Sequence, residues 1–258
     1  MVWSVGVAIV VFGLVAGTIS AWIANSYQEH ESEEIAVWTP AACASCSHEL
    51  QPAELAPPMW WISHRGGCPS CGEKLPTSWL ALQLGVPAAM LVMLATFGTS
   101  LVLIPFLWLV PVLATAATTD IRLMLIPRRI AWIGAAVGGA LIVIVSLATD
   151  QSGGIQRAAI GGIAYISFLF VVSIITPGGM GMGDVRLSLL LGLYLGWINV
   201  IMPAVGLFIA CAIGTIMGLA VRFSSKGEQR LFPFGPGLAA GTLIAIALYQ
   251  PILERLPN

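Results

Sequence analysis

The chain has 258 residues, of which 58% are hydrophobic and only 9% charged, with a formal net charge of −1 and a mean hydropathy of +0.92. Soluble domains carry about a quarter charged residues, so an ordinary soluble domain is excluded and a multi-pass membrane protein is expected. The near-neutral charge gives no reason to expect a nucleic-acid partner; the lipid bilayer is the partner that the composition demands.

Runs of ~20 apolar residues cross the hydrocarbon core as a helix. They occur at approximately 4–25, 79–97, 100–119, 130–149, 156–176, 184–198, 200–221 and 235–253. The predicted fold class is therefore all-α and polytopic, with about eight transmembrane helices. Three parts are expected: a first transmembrane helix over 1–25, a polar loop over 26–78, and a polytopic membrane domain over 79–258. The first run has no basic region before it and reads as an uncleaved anchor.

Basic residues decide the orientation. If the 26–78 loop is cytoplasmic, Arg65, Lys74, Arg122, Arg128, Arg129, Arg186, Arg222, Lys226 and Arg230 all fall inside, and only Arg157 and Arg255 fall outside. That is the asymmetry of the positive-inside rule, and it places both termini outside.

The loop carries Cys43-Ala44-Ser45-Cys46 and Cys68-Pro69-Ser70-Cys71. Two such pairs at this separation have the spacing of a four-thiolate zinc site, with Cys43, Cys46, Cys68 and Cys71 as ligands. A closed shell of four thiolates leaves no open position, so the zinc is structural and the loop ribbon-like. Disulfide or redox pairing is the weaker alternative in a reducing compartment. His48 and His64 read as bystanders, and Cys211 as a small packing residue. Glu29, Glu31, Glu33 and Glu34 read first as a solvated linker and, more sharply, as an acidic run steering a basic substrate segment.

The chain contains three aspartates. Asp150 sits in a short polar loop, whereas Asp120 closes one apolar run and Asp184 opens another. Ionisable groups at membrane segments are costly and are functional candidates by default. The topology puts Asp120 and Asp184 on one face. Hydrolysis of a peptide bond by two carboxylates needs one ionised to activate water and one protonated to act on the carbonyl oxygen, and close approach supplies that state. Proton relay, ion transport or structural pairing with Arg122 or Arg186 are the competing readings. Helix dipoles favour charge at a helix start and disfavour it at an end, so Asp184 is expected as the base and Asp120 as the acid. No metalloprotease or serine-hydrolase motif accompanies them.

Gly178, Gly179, Gly181 and Gly183 precede Asp184 and permit close backbone approach, so an extended substrate could lie against Gly181 and Gly183. Gly161 and Gly162 read instead as packing glycines. Phe232-Pro233-Phe234-Gly235-Pro236-Gly237 holds the chain non-helical before the last run. A turn is the plain reading there; contact of Pro233, Phe234, Gly235 and Pro236 with a substrate backbone is the sharper one.

Gly181-Met182-Gly183-Asp184, the Asp120…Ile126-Pro127 element, Pro233-Phe234-Gly235-Pro236 and the paired C-x-x-C loop, taken in order over nearly the whole chain, resemble the type IV prepilin peptidases among the GxGD aspartyl membrane proteases. The resemblance implies an inner-membrane aspartic endopeptidase cutting prepilin or pseudopilin precursors, the subunits of type IV pili and protein-secretion filaments. The cut falls at the cytoplasmic face, between a basic leader and the following helix, and the family's catalytic pair falls on Asp120 and Asp184. Arg186 stands where the family commonly has Lys and keeps the charge. Many members also N-methylate the new terminus with S-adenosylmethionine. This chain has Gln83 where they usually carry Glu, and Gly17 to Ala21 lacks their usual Asn, which separates the methyltransferase from the peptidase expectation. The alternative from another class is a non-catalytic scaffold or transporter with a structural zinc loop.

Overall fold

The computed structural model describes residues 2–30, 33–57, 59–176, 180–224 and 233–254. In chain order its elements are α1 (Val2–Asn25), β1 (Tyr27–His30), β2 (Glu33–Trp38), α2 (Met59–His64), α3 (Thr77–Phe97), α4 (Leu103–Leu123), α5 (Arg128–Ala148), α6 (Ser152–Ile175), α7 (Met182–Ile198), α8 (Met202–Ser224), α9 (Gly235–Ala247) and α10 (Tyr249–Leu253). Eight of these helices coincide with the eight apolar runs. Six are long and apolar enough to cross a membrane; α7 has 17 residues and α9 has 13. The membrane part is all-α, as the composition demands.

Three details differ from the sequence reading. A two-stranded antiparallel hairpin, β1 paired with β2, opens the polar loop. The last apolar run is broken after Ala247, so that α10 is a separate short helix. The third run continues to Leu123, which puts Asp120 inside the final turn of α4 rather than just beyond it.

The chain forms two compact units, Met1–Thr119 and Asp120–Asn258. In the first, α1 lies against α3. Two glycines one turn apart permit this: a side chain at Gly13 would strike the Pro87 backbone, and one at Gly17 would strike the carbonyl of Leu82. Small residues at such spacing let membrane helices approach closely.

In the second unit α7 is the centre. It packs on α5, α6, α8 and α9, and it is apolar nearly all round, as a helix enclosed by others must be. Its Gly192 and Gly196 meet Gly161 of α6 backbone to backbone, with no room for a Cβ at any of the three. Gly161 thus packs as the sequence suggested. On α9, Gly237 and Gly241 repeat the device against Ala210 and Gly214 of α8. The opposite end of α7 is fixed by Trp197, whose indole N–H donates to the Ser146 hydroxyl at 2.9 Å.

Candidate active site

The last turn of α4 ends at Met124, whose N–H donates to the Asp120 carbonyl at 2.9 Å and whose φ of 52° is the left-handed conformation that commonly terminates helices. The chain then reverses through buried Ile126 and Pro127 into α5. This reversal receives the start of α7. A Cβ on Gly183 would lie 2.9 Å from Ile126 Cβ and 3.1 Å from its nitrogen, so only a glycine lets the two segments touch. Gly183 is therefore set by packing against Ile126, and Asp184 follows it on the first turn of α7.

Asp120 and Asp184 are both buried, at 5% and 7% exposure, and are near enough for their charges to interact. Asp120 Oδ2 accepts a 2.8 Å hydrogen bond from the N–H of Gly235, the first residue of α9. A Cβ at Gly235 would fall 2.7 Å from that oxygen. Asp184 reaches back toward the backbone of Gly181, the residue that precedes α7, as the acidic member of a capping box does. Its Oδ1 is buried with no hydrogen-bond partner. A buried orphan oxygen costs roughly 1–3 kcal/mol, so it marks a place where water or substrate is wanted.

Of the other expected site residues, Gly181, Gly183 and Gly235 are gathered around the two carboxylates. Gly235 has its N–H engaged with Asp120 rather than open to a substrate. Phe234 lays its ring over Gly214 of α8, and Pro233, Pro236 and Arg186 are half-buried. Gly178, Gly179 and Phe232 lie outside the described residues. The sequence reading missed Ile126 as the surface that dictates Gly183, and Gly235 as a hydrogen-bond donor to an aspartate.

The four loop cysteines form a second cluster, with their sulfurs all within 4.8 Å of one another. Cys43 and Cys71 sulfurs are 3.7 Å apart, as are those of Cys46 and Cys68. A tetrahedron with zinc–sulfur bonds of ~2.3 Å has an edge of ~3.8 Å, so the donor set fits zinc. The two halves are built alike. Ser47 donates its N–H to the Cys43 carbonyl and Gly72 donates to the Cys68 carbonyl, each at 2.9 Å. Both residues are left-handed, with φ of 58° and 74°. Backbone hydrogen bonds at Cys46 and Ser45 hold the Cys43 thiol down to about 7. At Cys71 the Glu73 backbone favours the thiolate, but the Cys46 sulfur, burial and the other two thiols push it up to about 12. A metal needs all four as thiolates, so binding would release the protons they hold.

The loop is fastened to its helices by indoles. Trp22 of α1 donates to the Leu50 carbonyl, Trp60 to the Gly67 carbonyl beside Cys68, and Trp61 to Gln83 Oε1 of α3. Gln83 is fully buried, and its Nε2 donates to the Leu55 carbonyl at 2.8 Å and the Thr18 hydroxyl at 3.2 Å.

The sequence matches the profile of the Type IV leader peptidase family over residues 107–219 and that of the Bacterial Peptidase A24 N-terminal domain over 11–97. A prepilin leader peptidase/N-methyltransferase of Bacillus subtilis (strain 168) is 32% identical over 215 residues, which cover 83% of this chain and 84% of the relative. The chain belongs to the type IV leader peptidase family. Proteins of the same name from Pseudomonas putida and Aeromonas hydrophila are 27% and 25% identical to this leader peptidase, over 84% and 80% of its length and 75% and 70% of theirs. No solved structure matches it. Membership favours the enzyme over the scaffold or transporter.

Proposed function

We propose that this leader peptidase is an aspartyl endopeptidase that removes the basic leader from type IV prepilin or pseudopilin precursors at the cytoplasmic face of the inner membrane, with Asp120 and Asp184 as its catalytic pair. The observation that carries this is the convergence of two buried carboxylates, one of them with an unpartnered oxygen. Their described hydrogen bonds are with the backbone of Gly235 and Gly181, and their charges interact, which suits a hydrolytic pair and not a neutralised ion pair. One carboxylate takes a proton from water as the hydroxide attacks the scissile carbonyl carbon. The other donates a hydrogen bond, then a proton, to the carbonyl oxygen; the carbon–nitrogen bond then breaks as the nitrogen takes the proton held by the first carboxylate and a hydroxyl of the tetrahedral diol returns its proton to the second. Gly181 is exposed and offers backbone to an extended substrate at the mouth of the site, while Arg186, Pro233, Phe234 and Pro236 border it.

Zinc, held by Cys43, Cys46, Cys68 and Cys71, would order the loop and take no part in hydrolysis. The acidic run would attract the basic leader; Glu29, Glu33 and Glu34 lie on the hairpin strands, and Glu31 lies outside the described residues. S-Adenosylmethionine would be required only for a methylating activity, which the relatives' names include. Gln83 has its hydrogen-bonding groups taken by Trp61, Leu55 and Thr18 and offers nothing to a methyl donor, so no methyl-transfer step is assigned to it. Cleavage of a prepilin-like substrate with S-adenosylmethionine in one arm tests both parts: cleavage without a mass gain of one methyl is the expected result.

A further inference from the structure

Asp120 and Asp184 differ in one respect that the hydrolytic reading does not use. Asp120 stands at the beginning of α9, where its Oδ2 takes the N–H of the first helical residue, Gly235, at 2.8 Å. That N–H belongs to the orphan donors at the positive end of the helix. A hydrogen bond from a backbone N–H to an ionised carboxylate is roughly twice as strong as one to a neutral group. The bond can also form only if residue 235 has no side chain, because a Cβ would intrude on the same oxygen. Asp184 reaches back to the Gly181 backbone at the start of its own helix, but its Oδ1 is buried and without a partner. An oxygen in that position is stable as the O–H of a carboxylic acid poised to donate, and costly as half of an anion.

Building on the two-aspartate reading above, we propose that Gly235 is a positioning residue that divides the labour of the pair: its N–H holds Asp120 as the ionised, water-activating carboxylate, which leaves the proton on Asp184. This reverses the assignment expected from the dipoles of α4 and α7 alone. The sequence could not show that a third helix, α9, points its N-terminus at Asp120.

The two protonation states react with different reagents. A small epoxide is opened by nucleophilic attack of an ionised carboxylate, forming a carbon–oxygen bond as the ring oxygen leaves and takes a proton from solvent. A diazoacetyl ester is first protonated by a carboxylic acid; the resulting carboxylate then displaces nitrogen. The full-length protein in membranes would be treated with each reagent and the modified aspartate located by peptide mass spectrometry. The epoxide is expected on Asp120 and the diazo ester on Asp184, each with a preference of about tenfold or more, the ratio that one charge-assisted backbone hydrogen bond supports. In Gly235→Ala the preference should shrink toward equality. The reverse pattern, equal labelling of the two residues in the wild type, or a preference unchanged in Gly235→Ala would overturn the proposal. Labelling is read without turnover, so its outcome is separate from whether the pair hydrolyses peptides, which Asp→Asn variants decide.

Discussion

Replacing Gly183 with Ala tests whether the approach of α7 to the Ile126 turn is what places Asp184. The added Cβ would stand 2.9 Å from Ile126 Cβ, 3.1 Å from its nitrogen and 3.3 Å from its oxygen. Restoring ordinary contact of about 3.4 Å requires the segments to part by about 0.5 Å, and an overpacked site of this kind costs roughly 1–3 kcal/mol. Alanine recovers up to about 1 kcal/mol of that through its helix propensity, so the loss of stability should be modest. Activity is the more sensitive measure. A displacement of about 1 Å costs on the order of 10²-fold in rate, so half of that predicts a fall of about tenfold in kcat/KM. Gly139→Ala on α5 is the internal control, because a Cβ there meets only Leu193 Cδ1, at an ordinary 3.7 Å, and should change the rate by less than about twofold. The assay is cleavage of a prepilin-like substrate by membranes normalised for enzyme abundance. Wild-type cleavage by Gly183→Ala, or equal damage from both substitutions, would refute the reasoning.

Other consequences follow from the same geometry. Metal-free loop should bind zinc more tightly as pH rises through neutrality, because the Cys71 thiol, pushed up to about 12, must lose its proton to the metal; a competition titration showing affinity independent of pH would contradict this. Stripping the metal should alter tryptophan emission, since Trp60 is hydrogen-bonded beside Cys68, and an unchanged spectrum would remove that link. Gln83→Leu leaves the buried Leu55 carbonyl and Trp61 N–H unpaired and should destabilise the protein by about 2 kcal/mol or more, seen as a lower melting temperature in detergent. Gly192→Ala drives a Cβ into the Gly161 backbone and should cost about 1–3 kcal/mol, where Gly6→Ala, which meets nothing, should cost none.

How much of this was legible beforehand varies with the physics involved. The eight apolar runs could be read directly, because crossing a bilayer is a demand on each segment by itself. The cysteine quartet could be read from spacing for the same reason: two short local turns bring the sulfurs into place, down to the paired left-handed residues Ser47 and Gly72. Asp120 and Asp184 stood out because acids are rare in such runs. Their surroundings did not. Gly235 looked like a residue of a turn, and its N–H finds Asp120 only after α9 has packed against α8. Gly183 looked like part of a flexible loop, although its need is steric and set by Ile126. The hairpin of Tyr27 to Trp38 was hidden by its acidic residues, which suggested a solvated linker; Trp38 packs edge-on against Trp22 and Tyr27 and supplies an apolar anchor that no periodic pattern announces. The packing glycines at 13 and 17, 192 and 196, and 237 and 241 share one spacing, and that signal was present in the sequence unread.

The central claim is that two aspartates hydrolyse the leader bond. It is met most directly by measuring cleavage of a prepilin-like substrate with wild type, Asp120→Asn and Asp184→Asn at matched abundance in membranes. The account predicts that each substitution alone lowers cleavage by roughly 10²–10⁴-fold, the contribution of a positioned acid or base. Undiminished cleavage by either variant would contradict it.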